Sequence, residues 1–394
     1  MSGTITISST DLLNAVYPQL KSQITKEPEV AQQGYSYIIW TDGTNYYAKN
    51  GATGQIEFSG IDASTVIQSV FNSLPIGRTS PVAIYLKGSF TNVNVSVPSR
   101  VYLFIDGEIH GTLTLNGVYE VTIEGGYIEQ VYITGNSFKI RIADTTINTL
   151  IGDSGGYWHF DHVSFTTVTL TTNGNEHTYW VWFSQCWIQN PNGNGLYAKN
   201  SVYLLVESSV LSYNNSIGVY LEYCLSVFIN GDIEANNVSG LVITGGHAIL
   251  INTSIYGNNN YGIYLGTDAS VEIMHSSING DRTADIKADT GSNTLKIDRF
   301  TVVRTIWGIN NLQKFISDQP SFLSRNSGVA TISTGSISVT VNHGLALTPT
   351  KVMITPLGQP SGNLWVSNIT STSFTINISS APSSNLNVAW YAEV

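Results

Sequence analysis

Gly195-Leu196-Tyr197-Ala198, Gly218-Val219-Tyr220-Leu221, Gly240-Leu241-Val242-Ile243 and Gly262-Ile263-Tyr264-Leu265 begin 23, 22 and 22 residues apart. Asn215, Asn237 and Asn259 each precede one of the last three glycines by three residues, and one more step of 22 reaches Asp281. A phase held this long marks a repeat architecture. Within each period, short alternating runs of Val, Ile, Leu and Tyr are separated by Asn, Ser and Gly. That is a strand-and-turn pattern and not the 3.6-residue period of a helix. Short strands returning at this interval stack as the turns of a coil, each laying its apolar residues on the turn below. The fold class expected is therefore all-β, a right-handed parallel β-helix; an antiparallel sandwich accounts poorly for the constant phase. The recurrent Asn fits, because Asn tolerates left-handed backbone and its amide can bond the equivalent Asn one turn on.

Outward from this core the texture continues. Val82-Ala83-Ile84-Tyr85-Leu86, Val101-Tyr102-Leu103-Phe104-Ile105, Val121-Thr122-Ile123, Val131-Tyr132-Ile133 and Trp180-Val181-Trp182-Phe183 are further rungs. They suggest roughly ten turns between about residues 82 and 300. Ahead of them Asp62 reads as an N-cap, Val66, Ile67, Val70, Phe71 and Leu74 share one helical face, and Pro75 with Gly77 ends the helix. Such a helix would cap the open end of the coil, which is otherwise a bare sheet edge. Residues 1–60 form an N-terminal attachment region with a second helical pattern, Leu12, Leu13, Val16 and Leu20, interrupted by Pro18. A hairpin follows at Trp40-Thr41-Asp42-Gly43-Thr44, where Asp-Gly favours a tight turn. The helix and coil occupy 61–305, a linker 306–325 with a short helix at 309–316, and a small β-sandwich 326–394.

Composition excludes several classes. Charged residues make up 11% of the 394, against about 25% in ordinary domains, and the net charge is −10 with only 17 Lys and Arg. A nucleic-acid binder or basic membrane-surface protein would need concentrated positive charge. No apolar run approaches the roughly 20 residues that span a bilayer, so no membrane insertion is expected. Met1-Ser2-Gly3-Thr4-Ile5-Thr6 shows no basic segment ahead of an apolar one, hence no signal peptide. Cys186 and Cys224 sit in strand-like apolar runs and read as buried free thiols. Sequons such as Asn237-Val238-Ser239 are expected by chance in a chain so rich in Asn, Ser and Thr.

Two end pieces carry a resemblance. Tyr46-Tyr47-Ala48-Lys49-Asn50-Gly51, leading to Ser59-Gly60-Ile61-Asp62-Ala63, resembles the start of pectate-lyase-like β-helix proteins of archaea and their viruses. Val341-Asn342-His343-Gly344-Leu345, Thr348-Pro349, Thr355-Pro356, Leu364-Trp365-Val366 and Trp390-Tyr391 resemble small tip domains of viral receptor-binding proteins. A β-helix followed by such a tip is similar to the plan of viral tailspikes. The resemblance implies a homotrimer on the virion surface, assembled in the host cytoplasm, that binds host-surface carbohydrate or glycoprotein and contacts other virion proteins through its N-terminal region.

The repeat also assigns faces. Leu196, Val219, Leu241 and Ile263 point inward with Ala198, Leu221, Ile243 and Leu265, leaving Tyr197, Tyr220, Val242 and Tyr264 outside. A row of tyrosines at about 4.8 Å per turn can act as a sugar platform, or its rings can simply stack to stiffen the wall. In the next strand the same alternation predicts that Leu205, Phe228, Leu250 and Met274 face out as an apolar stripe, the expected subunit interface. A third cluster gathers Trp158, His159, Asp161, His162, His177, Tyr179, Trp180, Trp182 and Trp187. From it Trp180, Trp182 and His177 are taken as glycan-binding candidates, with Trp180 and Trp182 on one face. His159, His162 and His177 lack a specific metal-ligand spacing, so neither a metal nor a cofactor is expected.

An enzyme on this scaffold would be a lyase, needing a base beside Ca²⁺-binding acids, or a glycosidase, needing two carboxylates about 5–9.5 Å apart. No acidic cluster recurs on adjacent turns. Glu207 with Asp232, or Glu207 with Glu222, are the candidate pairs, but acids scattered over such a chain produce pairs by chance. The reading reached is a glycan-binding viral spike, with a polysaccharide-degrading enzyme as the alternative and a cellular adhesin as the second.

Overall fold

The computed structural model describes residues 34–172, 178–291 and 293–394. The helical pattern around Leu12–Leu20 and the candidate His177 lie outside the described residues. Among the described residues the fold is all-β, a β-solenoid of about ten turns with one α-helix near its start.

The solenoid begins earlier than the sequence suggested. Tyr37–Thr41 and Tyr46–Asn50 form the expected hairpin. Its turn is fixed by the Asp42 carboxylate, which accepts from the backbone N–H of Thr44 at 2.9 Å and Asn45 at 2.7 Å. Tyr37–Thr41 then pairs parallel with Val82–Ser96 as the first rung. The helix Ala63–Ser73 lies between them. Asp62 caps it by accepting from the N–H of Ser64 and Thr65, while Val66, Ile67, Val70 and Phe71 are buried against the end of the coil. These four join one continuous core with the inward ladders of the solenoid, including Leu196, Val219, Leu241 and Ile263.

From there each rung pairs in parallel with the next. The turns are sharp because single residues adopt left-handed backbone at the corners, and most of these are not glycine. One corner carries Arg100, Glu120, Lys139, Tyr157, Trp180, Tyr203 and Ser226, with φ between 55° and 59°. Another carries Asp144, His162, Gln185 and Ser208. An L-residue in this conformation costs roughly 1–2 kcal/mol. The ladder of inter-turn hydrogen bonds on both sides of each corner holds the strain.

Two asparagine ladders run along the coil. Asn237 and Asn259 donate side-chain amide bonds to Asn215 and Asn237 at 3.0 and 2.7 Å on the outside, as the sequence led us to expect. None of these three has left-handed backbone. A second ladder is internal: Asn214 donates to Asn236 at 2.7 Å, Asn236 to Asn258 at 2.9 Å, and Asn258 to Asp281 at 2.8 Å. Asp281 therefore ends the inner ladder and does not continue the Asn215 series.

The coil also runs further than expected. Ile306–Trp307 pairs with Ile286 and Lys287, and Leu312–Ser317 pairs with Asn293–Ile297. The expected short helix at 309–316 is a single 3-10 turn, Ile309–Asn311, followed by a strand, so the first half of the expected linker 306–325 is solenoid. Phe315 completes the core in place of a helical face. Beyond it, Arg325–Ile332, Leu386–Glu393 and Lys351–Pro356 make one three-stranded antiparallel sheet. Ser338–Asn342, Ser373–Ile378 and Leu364–Ser367 make another. Ile332, Phe374, Ile376, Val388 and Trp390 pack between them. Cys186 and Cys224 are buried free thiols whose pKa values burial pushes up to about 12 and about 11. No described helix is long and apolar enough to cross a membrane.

Candidate functional site

The tyrosine row stands where alternation put it. Register aligns Tyr197, Tyr220, Val242 and Tyr264 on successive turns. The Tyr197 and Tyr220 rings lie 5.2 Å apart and tilted by 30°. Val242 is 7% exposed and interrupts the row before Tyr264. The phenol hydroxyls of Tyr197 and Tyr264 are already engaged. Tyr197 donates to Glu222 at 2.7 Å, and Lys199 donates to the other oxygen of the same carboxylate at 2.6 Å. Tyr264 donates to Asp289, which also pairs with Lys287 at 3.1 Å. Burial and the carboxylate partner raise the pKa of Tyr197. The Lys199 ammonium, seconded by Tyr197, holds Glu222 below its usual range. Glu222 is thus a fixed anion that anchors the row and is unsuited to donate a proton.

The apolar stripe differs from expectation in two ways. Leu205 pairs with Phe228, but Phe228 pairs with Ile249, because the ladder slips between Cys224 and Val227. Leu250 consequently points inward into the main core, a correction to its expected outward place, and Ile249 takes that place. Met274 pairs with Ile251 and packs at the edge of the stripe. The stripe is also not an exposed patch: Trp182, Leu205, Phe228 and Ile249 are 3, 5, 7 and 1% exposed. These four side chains are buried within the single chain, which leaves the stripe little free surface.

Trp180 and Trp182 do not share a face. The left-handed backbone of Trp180 breaks the alternation there. Trp182 stacks on His159 at 4.3 Å and 15°, and both are buried, with the indole nitrogen and both imidazole nitrogens lacking a partner. Burial lowers the His159 pKa to about 4, so the ring is neutral. Trp180 instead projects from the corner, half-buried between Tyr157 at 6.0 Å and Tyr203 at 4.4 Å, with ring planes within 8° and 21°. Sequence reading missed Tyr157 and Tyr203, although their spacing of 23 residues on either side of Trp180 was a usable signal. Trp158 is core, its indole donating to the Ser137 carbonyl at 2.9 Å, while Trp187 is 50% exposed on another wall.

The candidate acids do not converge. Glu207 pairs with Asn230 on one wall; Asp232 pairs with Val210 beyond the left-handed corner at Ser208. Glu222 belongs to the tyrosine wall. Burial raises the Glu207 pKa, as a general acid requires, but neither candidate partner shares its face. Among the described residues no three His, Cys, Asp or Glu side chains gather as metal ligands.

Residues 167–343 match the family described as right handed beta helix region. No curated protein matches. Among solved structures, a tailspike protein mutant of E. coli bacteriophage HK620 in complex with pentasaccharide is 10% identical. It covers 95% of this chain and 99% of its own, with a TM-score of 0.44. The enzymatically active domain of tailspike protein 4 of bacteriophage CBA120 is 13% identical, covering 84% of this chain and 64% of its own at a TM-score of 0.47. The A-module of an Azotobacter vinelandii mannuronan C-5 epimerase is 15% identical, covering 66% and 91% at a TM-score of 0.39. These likenesses concern the fold alone.

Proposed function

We propose that the protein is a glycan-binding spike of the tailspike kind, a homotrimer on a virion surface that attaches the particle to host-surface carbohydrate. The observation that carries this reading is the parallel stack of Tyr157, Trp180 and Tyr203 along one outer corner of a rigid solenoid. Stacked on one another, these rings present their edges and polar tips along the corner, a part-apolar, hydrogen-bonding strip that suits a saccharide chain, and a scaffold whose turns are locked by hydrogen bonds loses little entropy on binding. The Tyr197 and Tyr220 pair offers a second, shorter platform. The fold likeness to tailspikes agrees with this without supplying the ligand. The residues ahead of the hairpin would contact other virion proteins.

The test is a glycan array read with wild type and with Trp180→Ala, together with light scattering. The expected result is selective glycan capture by wild type, its loss in a variant of unchanged circular dichroism, and a mass near three times 42.7 kDa. Capture unaffected by the substitution would move the site elsewhere, and new reducing ends on the captured glycan would put the depolymerase reading first.

A further inference from the structure

The aromatic corner does not begin with aromatic residues. On the three preceding turns the same left-handed position is occupied by Arg100, Glu120 and Lys139. Arg100 pairs with Glu120 at 3.2 Å, and Lys139 pairs with its other oxygen at 3.4 Å. Lys139 also lies 4.6 Å from the centre of the exposed Tyr119 ring, with Arg100 at 5.8 Å. Beside Arg100 stands Arg78, whose guanidinium meets only backbone carbonyls: those of Arg100 and Pro75, each at 3.2 Å, and that of Ser99. Burial and the Arg100 charge lower the Arg78 pKa, and no carboxylate opposes them. Arg100 and Lys139 thus share one carboxylate while Arg78, among the described residues, pairs with none, in a chain of net charge −10.

Of these groups Arg78 and Arg100 line a cavity of about 450 Å³ beside the capping helix, walled by Phe71, Leu74, Ile76 and Pro98. Each guanidinium has five N–H groups. Three of those on Arg78 and two of those on Arg100 are engaged, so two and three remain. Free N–H groups of a fixed guanidinium, part-desolvated by an apolar wall, match a carboxylate better than any neutral group.

We infer that this pocket and the Lys139 and Tyr119 shelf form an acid-recognising subsite, and that the chain bound along the aromatic corner is a carboxylate-bearing polysaccharide. The inference rests on the glycan-binding reading above and adds the chemical class of the ligand. Arg100 to Trp180 spans four turns, about 19 Å at ~4.8 Å each, so one extended saccharide can touch both the cationic end and the ring stack.

The experiment is a glycan array holding neutral, uronate-bearing and sialylated chains, with the best hit then titrated against wild type, Lys139→Met and Arg78→Lys at low and high salt. The expected hits bear carboxylates. Affinity should fall about fivefold in Lys139→Met, the scale of one partly exposed ion pair, and fall again with added salt. Lys139 is a surface residue, so its variant remains informative if Arg78→Lys disturbs the cap. Hits confined to neutral glycans, or a carboxylate hit indifferent to Lys139→Met and to salt, overturn the acidic subsite and leave the aromatic platform standing. No hit of any kind overturns both.

Discussion

Asp281→Asn should stabilise the protein at neutral pH and do almost nothing in acid. The inner ladder explains why. At the two middle rungs the amide nitrogen donates to the next side chain and also to a strand carbonyl, Asn236 to Leu211 at 3.3 Å and Asn258 to Ile233 at 3.4 Å. At the last rung Asp281 accepts from the side chain and backbone of Asn258 with one oxygen, while the other is buried without a partner. An oxygen stands where the ladder calls for a nitrogen. Burial raises the pKa of Asp281 from 3.8 to about 6, with Asp285 adding to the rise and the Asn258 bonds opposing it. The folded state therefore holds a proton that the unfolded chain has lost between these values, and stability falls as pH rises from about 4 to about 6. A gap of about two units corresponds to roughly 3 kcal/mol at about 1.36 kcal/mol per unit. Because the side chain keeps partial access to water, screening reduces this to about 1–1.5 kcal/mol. Asparagine at 281 removes the buried charge and restores the donor. Calorimetry at a fixed scan rate should show the variant melting about 1–2 °C above wild type near pH 8, with the difference vanishing near pH 4. A variant that is destabilised near pH 8, or shows the same gain at both pH values, would refute the ladder argument.

Other positions give separable outcomes. Asn236→Ala removes the middle of the ladder, where the buried amide accepts from Asn214 and donates to Asn258; leaving both unpaired should cost about 2–4 kcal/mol by denaturant titration, and a loss under 0.5 kcal/mol would contradict it. Ala235 is left-handed at φ 51° in the corner column whose next members are Gly257 and Gly280, so Ala235→Gly should gain about 0.5–1 kcal/mol by releasing strain, with a lower melting temperature as the contrary result. Phe228→Asp, at a side chain 7% exposed, should destabilise each chain by several kcal/mol through a buried unpaired charge. If the stripe were instead an open interface, the chain would fold normally and only lose assembly by light scattering.

The period was legible because it is written in backbone needs repeated on every turn: glycines at 195, 218, 240 and 262 stand where a Cβ would meet atoms of the next turn within 3 Å. Inward and outward assignment was legible only as far as the period stayed constant. Cys224 to Gly246 is a step of 22 where Phe228 to Ile249 is 21, and this one-residue slip between Cys224 and Val227 turned Leu250 inward. Since strand side chains alternate, a one-residue irregularity reverses the assignments next to it, as at Ile249 and Leu250. The corner column was illegible for a related reason. Left-handed backbone usually announces itself as Gly or Asn, whereas here Arg, Glu, Lys, Tyr and Trp adopt it because hydrogen bonds on both flanks compel them. That displacement takes Trp180 off the face of Trp182 and into line with Tyr157, Tyr203, Lys139 and Arg100. A corner is the one place on a stacked coil where a long side chain projects clear of both neighbouring walls. Strain tolerated at a corner and ligand-binding side chains presented there are therefore two consequences of the same turn geometry, and substitution at these positions by Asn should relax the first while abolishing the second.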